Sequence, residues 1–188
     1  SIKNTTTSLL NVGDRSYFKN ARDYKFTNSK DISNNEDGWS LEALRSKNTG
    51  VVSSVLSQHV NSGGEAIVAA AYLPLLSVIE PTLPPGFEFA IIDAQGNVLF
   101  HQDPTRNLSE NLFEWVDKED SLRAAVWSRN EWPQMDVNYR ARDYRLHIRP
   151  LHSTPWSLVV LYDVLDSRLV RVDILTVAFF LYLTYLIA

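Results

Sequence analysis

The sequence contains no cysteine, which excludes a disulfide-stapled scaffold and any metal site built on thiolates. It also has no excess of positive charge, because 18 Lys and Arg stand against 22 Asp and Glu, for a net charge of −4. We therefore predict no nucleic-acid partner. The 188 residues are 45% hydrophobic, which is enough for one domain, or two small ones, with a real core.

The sequence also lacks the motifs of common catalytic sites. There is no Gly-x-Ser-x-Gly nucleophile turn, no phosphate-binding loop and no His-Glu-x-x-His zinc motif. His101 and Asp103 are two residues apart at a predicted strand edge, but two ligands do not complete a metal site. We therefore predict that this region is not an enzyme and has no catalytic residues, no metal and no cofactor.

The clearest structural pattern lies in the middle of the chain, where residues 87–103 read FEFAIIDAQGNVLFHQD. β-branched and aromatic residues fill two arms, which predicts strands at Phe87–Ile92 and Val98–His101. Between the arms, Asp93 can hydrogen-bond the turn backbone and Gly96 can adopt a positive φ at low cost. The stretch therefore predicts a tight β-hairpin whose first arm is buried.

The rest of the chain has weaker strand and helix patterns. Strands are predicted over residues 51–60, 65–72, 135–140, 144–150 and 156–162, and helices after an Asp14 cap, over 75–79 and over 121–129. Residues 39–44 are compatible with either a strand or a short helix. The cluster of Pro81, Pro84 and Pro85 marks the best internal boundary. The last five strands, with a helix inserted between them, predict a small antiparallel α+β domain.

The chain ends in an uncharged run of fifteen residues, ILTVAFFLYLTYLIA, from Ile174 to Ala188. At ~1.5 Å per residue this run spans roughly 22 Å, short of the ~30 Å core of a bilayer. Length alone favours a buried helix, whereas apolar residues on every face favour a membrane helix. We predict a truncated transmembrane helix whose preceding turn is capped by Asp163 or Asp166.

Four pieces of the chain stand in an order that resembles the double-Cache (dCache) sensors of bacterial membrane receptors. They are Asp14-Arg15-x-Tyr17-Phe18, the hairpin after Thr49-Gly50, the Asp93-x-x-Gly96 hairpin, and Thr154-Pro155-Trp156 before the final helix. The resemblance implies PAS-like antiparallel sheets with flanking helices. Residues 1–85 would be the later part of a membrane-distal ligand-binding domain, 86–163 the membrane-proximal domain, and 164–188 the linker and truncated transmembrane helix. A single-Cache fold with all strands in one sheet is the alternative architecture.

The resemblance also implies a ligand site. In amino-acid-binding members an Arg-x-Trp-Tyr segment grips the ligand carboxylate, and the segment from Arg15 through Tyr17 and Phe18 is similar to it in position. A guanidinium offers two parallel donors to a carboxylate, and rings exclude water from it. Trp39 and Tyr72 complete the predicted ligand-binding set.

Two observations bear on the chemistry of that site. The family's amine-binding Asp has no counterpart in residues 69–73, which carry no carboxylate, so we predict an anionic or uncharged ligand. From the residues alone, Arg15 is better explained as a surface arginine that pairs with Asp14 or Asp23, and only the resemblance makes a ligand clamp an equal alternative. Core packing is likewise the default role of aromatic rings.

The function implied by the resemblance is that of an extracytoplasmic sensor region. It would sit in the periplasm, attached to the inner membrane, bind a small molecule and pass the signal through the following helix. A kinase, cyclase or chemoreceptor output would lie beyond this sequence, and a homodimer is left open. The alternative is a membrane-anchored protein-interaction or dimerisation domain with no small-molecule ligand.

Overall fold

The computed structural model describes residues 12–23, 25, 38–47, 49–62, 65–73 and 81–187. The chain divides into two compact units, residues 1–74 (unit 1) and residues 75–188 (unit 2). Each unit contains an antiparallel sheet with helical segments, so the predicted α+β class is confirmed. The helix predicted over residues 75–79 lies outside the described residues, as does the turn at residues 63–64.

Unit 1 contains a short helix and a three-stranded sheet. The helix α1 spans Ser16–Arg22, and the strands are β1 Trp39–Arg45, β2 Val52–Ser62 and β3 Glu65–Leu73. The strand order is β1-β2-β3, with both pairs antiparallel. The two strands predicted around the hairpin are thus confirmed, and the segment left open between helix and strand is a strand.

The helix α1 begins differently from the prediction. Its N-cap residue is Arg15, which makes no side-chain capping hydrogen bond. Asp14 instead pairs with Lys47 at 2.9 Å, and this hydrogen bond and charge lower the pKa of the Asp14 carboxyl. The predicted Asp14 cap is wrong, because a lysine ammonium distant in sequence competes for the carboxylate.

Unit 2 is built on a five-stranded sheet with an inserted helix. The strands are β4 Phe87–Ile92, β5 Val98–His101, β6 Trp132–Tyr139, β7 Arg142–Pro150 and β8 Ser157–Asp163. Their order is β5-β4-β8-β7-β6, with all pairs antiparallel. The central hairpin has the bounds that the sequence predicts. The connection between β6 and β7 is the two-residue turn Arg140-Ala141, whose φ values are 52° and 63°, and it is shorter than predicted.

The inserted helix α2, Glu119–Ser128, covers one face of the five-stranded sheet. Its buried residues are Leu122, Ala125 and Val126, as the sequence pattern predicts. They pack with inward-facing residues of all five strands, including Ala90, Val98, Val137, Leu146 and Val159. This face forms the apolar core of unit 2.

The turn of the central hairpin depends on Gly96. The Asp93 carboxylate accepts hydrogen bonds from the backbone N–H groups of Gln95 and Asn97, both at 2.9 Å, and Gly96 has φ +85°. A Cβ placed on Gly96 would lie 2.5 Å from the ring of Phe113, which is 2% exposed. The turn therefore excludes any side chain at this position, on grounds of both backbone conformation and space.

Gly96→Ala should lower the free energy of unfolding by ~2–3 kcal/mol, because backbone strain and overpacking add. Gly50→Ala is the matched control, since Gly50 has φ +71° but a Cβ there meets nothing within 4 Å. The control should cost only ~1 kcal/mol from its backbone conformation. Urea unfolding of the three proteins checks this, and equal losses in both variants would contradict a role for Phe113.

The chain continues from β8 into the helix α3, Val164–Ile187. The Asp163 carboxylate accepts a hydrogen bond from the backbone N–H of Leu165 at 2.8 Å, so Asp163 is the capping residue of the two that the sequence offered. Residues 176–185 are exposed. Within the described part of the chain, no helix is long and apolar enough to cross a membrane, so the predicted transmembrane helix is not confirmed.

Candidate functional site

The helix α1 lies over one face of the sheet in unit 1. The side chains of Ser16 and Asn20 donate hydrogen bonds to the Glu42 carboxylate of β1, at 2.5 and 2.6 Å. The Ser57 hydroxyl of β2 donates to the backbone carbonyl of Tyr17 at 3.2 Å. These contacts define the helix side of the sheet, and they place the segment that carries the predicted ligand residues over it.

Strand register decides which other predicted residues share that side. Glu42, Val55 and Tyr72 form one row across the three strands, so Tyr72 faces the helix side with Glu42. Tyr72 is 49% exposed. Trp39 is three residues before Glu42 on the same strand and therefore faces the opposite side. The structure brings Tyr72 to the side of α1 and separates Trp39 from it.

Arg15 lies at the start of α1 and is half-buried. Its Nη1 donates to the backbone carbonyl of Arg45 at 3.4 Å, a long hydrogen bond. The carboxylates of Asp14 and Asp23 pair with other cations, at 2.9 and 2.8 Å. Among the described residues, Arg15 forms no salt bridge with a carboxylate, although its charge contributes to the lowered pKa of Asp14.

Small polar residues are buried on the helix side of β1 and β2. Ser40, Ser53, Ser57 and His59 are each at most 3% exposed. The Ser53 hydroxyl has no hydrogen-bond partner in the described part of the chain. Sequence reasoning missed this surface, although alternate positions of β2 show it, since residues 53, 55, 57 and 59 read Ser, Val, Ser and His. These polar groups lie on the side of the sheet that α1 covers.

Unit 2 contains a buried polar network centred on Glu110, whose side chain is 3% exposed. The Tyr139 hydroxyl donates to Glu110 Oε1 at 2.6 Å, and Arg140 Nη2 donates to Oε2 at 2.8 Å. Arg106 Nε lies 3.8 Å from Oε2, and Arg106 Nη1 donates to the Tyr139 hydroxyl at 3.0 Å. Burial and the hydrogen bond to Glu110 raise the pKa of Tyr139, so its hydroxyl keeps its proton.

The network continues toward the end of the sheet where α3 begins. Glu88 accepts a hydrogen bond from the Tyr144 hydroxyl at 3.0 Å, and burial together with this bond raises the pKa of Tyr144 to about 12. The other oxygen of Glu88 lies 3.7 Å from Arg106 and 3.8 Å from His101. Tyr144 is paired in register with Asp163, the capping residue of α3. The network thus reaches the first turn of that helix.

Sequence reasoning missed this network because its partners are far apart along the chain. Glu110 and Tyr139 are 29 residues apart, and Glu88 and Tyr144 are 56 residues apart. No local spacing signals such pairs. The one feature of the sequence that points to the network is Glu88, which lies at an inward position of the buried strand β4. A carboxylate in that position requires a partner.

An open groove of about 310 Å³ lies on unit 2 beside the start of α3. It is lined by Asp117, Asp136, Val137, Asn138, Asp143, Arg145 and Val164. Its three carboxylates are already engaged, with Arg145 (2.9 Å), with the backbone N–H of Asn138 (2.8 Å) and with the side-chain amide of Asn138 (3.0 Å). The three carboxylates therefore stabilise the β6–β7 hairpin and its surroundings through these contacts.

No protein-family model matches the chain, and no curated protein matches it either. Solved structures do. The periplasmic sensory domain of the Campylobacter jejuni chemoreceptor Tlp1 is 10% identical at a TM-score of 0.59, with 82% of this chain and 57% of that chain covered. The extracellular domain of the proposed histidine kinase mmHK1S-Z2 is 12% identical, with the same TM-score and coverage.

The ligand-binding domain of the amino acid chemoreceptor PctB of Pseudomonas aeruginosa PAO1, in complex with L-Arg, is also similar. It is 14% identical at a TM-score of 0.57, with 87% of this chain and 67% of that chain covered. The chain therefore spans between 57 and 67% of the length of these three structures. At such identities the likeness shows the fold. The resemblance to the Cache family is confirmed at that level: the chain has the fold of the extracytoplasmic sensor domains of histidine kinases and chemoreceptors.

Proposed function

We propose that this chain is the extracytoplasmic ligand-sensing region of a bacterial transmembrane receptor. Unit 1 is the later part of a membrane-distal domain that binds a small molecule, and unit 2 is the membrane-proximal domain. The observation that carries the proposal is the placement of the Arg15 segment over a buried polar sheet face. The amino acid bound to PctB supports a ligand of that size. In this proposal the receptor passes its signal to a kinase, cyclase or chemoreceptor output domain.

Arg15 is the group we propose to hold the ligand. Its guanidinium donates to one backbone carbonyl of the described residues, at 3.4 Å, and a ligand carboxylate would outcompete this contact through two shorter, charge-assisted bonds. Tyr17 and Phe18 are half-buried beside it, and Tyr72 presents an exposed phenol on the same side of the sheet. Trp39 is left out of the proposed site because its strand position turns it to the other face.

Two features of unit 1 bear on the charge of the proposed ligand. An anionic or uncharged ligand follows from the lack of a carboxylate in residues 69–73. Glu42, however, supplies a carboxylate from β1 in the same row as Tyr72, and no arginine or lysine pairs with it among the described residues. A ligand that carries both charges therefore belongs in any screen.

We further propose that the signal leaves through α3. The backbone N–H of Asp163 donates to the Gly86 carbonyl at 2.7 Å, and residues 157–187 contain no glycine or proline. The last strand thus passes into the helix with no flexible joint to absorb a movement. In this proposal the apolar residues of α3 attach the domain to the inner membrane, with the folded units in the periplasm.

Arg15→Ala should weaken binding of an acidic ligand by ~1.5–3 kcal/mol, about ten- to a hundredfold in Kd, because a charged hydrogen-bond donor is lost. A thermal-shift screen of carboxylic acids, neutral metabolites and amino acids finds the ligand, and calorimetry then measures both variants. Arg22→Ala is the control, since Arg22 lies on the same helix but pairs with Asp23. A ligand bound equally well by both variants would remove Arg15 from the site.

One observation favours the alternative, an interaction or dimerisation domain without a small-molecule ligand. The strand β3 is at the edge of its sheet in the described part of unit 1, and its residues 69–73 are exposed and apolar. An open apolar edge is a template for pairing with another chain. A dimer that forms at micromolar concentration and dissociates on Leu73→Lys, in a protein that binds none of the screened metabolites, would favour this alternative.

A further inference from the structure

His101, at the end of β5, is 3% exposed and has a hydrogen-bond donor against each ring nitrogen. The backbone N–H of Asp103 lies 2.8 Å from Nδ1. Because a backbone N–H can only donate, Nδ1 accepts this bond and carries no proton. The single proton of the neutral ring is therefore on Nε2, and the longer 3.2 Å approach of Arg106 Nη1 to Nε2 is a contact between two donors, not a hydrogen bond.

The charged groups around the ring come from three parts of unit 2. Glu88 of β4 lies 3.8 Å from Nε2, and Arg106 Nη1 lies 3.2 Å from it. Asp103 follows the ring in the chain, and Glu110 lies beyond, held by Arg106 and by Tyr139 of β6. Burial lowers the pKa of His101 and the charge of Arg106 lowers it further, against the opposing carboxylates of Glu88, Glu110 and Asp103.

A second proton can enter the ring only at Nδ1. It would face the backbone N–H of Asp103 at 2.8 Å, so the hydrogen bond that holds Asp103 would be lost. The Asp103 carboxylate in turn accepts the backbone N–H of Thr105 at 3.0 Å and lies 3.4 Å from Arg106. These contacts fold residues 103–106 back on the ring, and they place Arg106 in the buried network.

The same network leads from the ring to the helix α3. Arg106 lies between His101, the Tyr139 hydroxyl and Glu88. Glu88 holds the Tyr144 hydroxyl, and Tyr144 is paired in register with the capping residue of α3. A displacement of Arg106 removes a cation that lies 3.7 Å from Glu88, and this changes the contacts at the end of the sheet where the helix begins.

We propose that His101 makes unit 2 responsive to acid, because its protonation releases residues 103–106 and withdraws Arg106 from the network that reaches the first turn of α3. This response is independent of ligand binding in unit 1. It adds proton concentration to the signals that the chain detects. A titrating imidazole inside a network that ends at the output helix has the position such a device requires.

The direction of the effect follows from the lowered pKa. A histidine in the unfolded chain titrates near ~6.5, so the unfolded state takes up a proton before the folded state does. The contribution of neutral, buried His101 to the free energy of unfolding is fully present above pH ~6.5. It is lost as the pH falls through the lowered pKa of folded His101. Within this window the unfolding equilibrium constant should rise by up to about tenfold per pH unit.

The test uses the full chain, with urea unfolding followed between pH 8 and pH 5. His101→Asn keeps an acceptor for the Asp103 N–H but cannot be protonated, so this variant should lose most of the acid sensitivity of unit 2. His147→Asn is the control, because His147 is a partly exposed histidine of β7 whose ring pairs with Glu131 and lies outside the His101 network. It should retain the full response. Equal pH dependence in wild type and His101→Asn overturns the proposal.

Two measurements keep the test decisive if His101→Asn folds poorly. Nitrogen chemical shifts of the wild-type ring should show the proton on Nε2 at neutral pH, and amide exchange of Asp103 should accelerate as the ring titrates. Arg106→Gln removes the nearby cation and should move the titration of His101 to higher pH. A proton on Nδ1 at neutral pH, or an unchanged titration in Arg106→Gln, overturns the proposal.

Discussion

We expect Trp156→Ala to lower the free energy of unfolding by ~3–5 kcal/mol, the range for removing a large aromatic side chain from a packed core. Trp156 is 5% exposed, and its ring centroid lies 5.9 Å from that of Phe100, which is 2% exposed. The truncated side chain would leave a cavity beside that ring. Urea unfolding at neutral pH measures the loss.

The control for this prediction is Trp127→Ala. Trp127 is 61% exposed and donates its indole N–H to the Ala94 carbonyl at 2.8 Å, so its removal should cost about 1 kcal/mol. Both variants lose the same atoms, and they differ in burial. Similar losses in the two variants would contradict the assignment of Trp156 to the core.

The surroundings of Trp156 differ in part from what its sequence context suggests. From the sequence we expect the ring to lie between the last strand and the inserted helix. The structure confirms its burial but packs it on Phe100, which pairs with Ile91. Ile91 alternates with Ala90 and Ile92 of the core that α2 covers, so this contact lies on the opposite face of the sheet.

Glu110→Ala should have the second large effect, a loss of ~2–4 kcal/mol of unfolding free energy. The substitution leaves the buried Tyr139 hydroxyl without its acceptor and removes the partner of Arg140. The Arg140 side chain is 40% exposed and can turn to water, which limits the loss. Glu110→Gln keeps an acceptor for Tyr139 and should lose only about 1–2 kcal/mol.

The matched control is Glu114→Ala, because Glu114 is exposed in the neighbouring 3-10 helix Leu112–Trp115. Its removal should change the free energy of unfolding by less than ~0.5 kcal/mol. Calorimetry or urea unfolding of the three variants at pH 7 separates these cases. If Glu110→Ala behaves like Glu114→Ala, the network does not stabilise unit 2.

The elements that the sequence predicts well are those with local causes. The hairpin β4–β5 has the predicted bounds, because alternation, the Asp93 side chain and the Gly96 backbone all act within a few residues. The helix α2 follows from its inward triplet in the same way. The cap of α1 fails because Asp14 is captured by Lys47, a partner 33 residues away.

The same distinction between local and long-range causes applies to the candidate site. The sequence by itself predicted the α+β class and the strands of both sheets except β1, because their signals repeat every two to four residues. It left β1 open between strand and helix, and it left the cap of α3 open between Asp163 and Asp166. Only the tertiary structure decided that Tyr72 joins the α1 side while Trp39 faces away, since cross-strand register sets which residues share a face. It also decided the Glu88, His101 and Glu110 network, because ion pairs and buried hydrogen bonds join residues that only folding brings together.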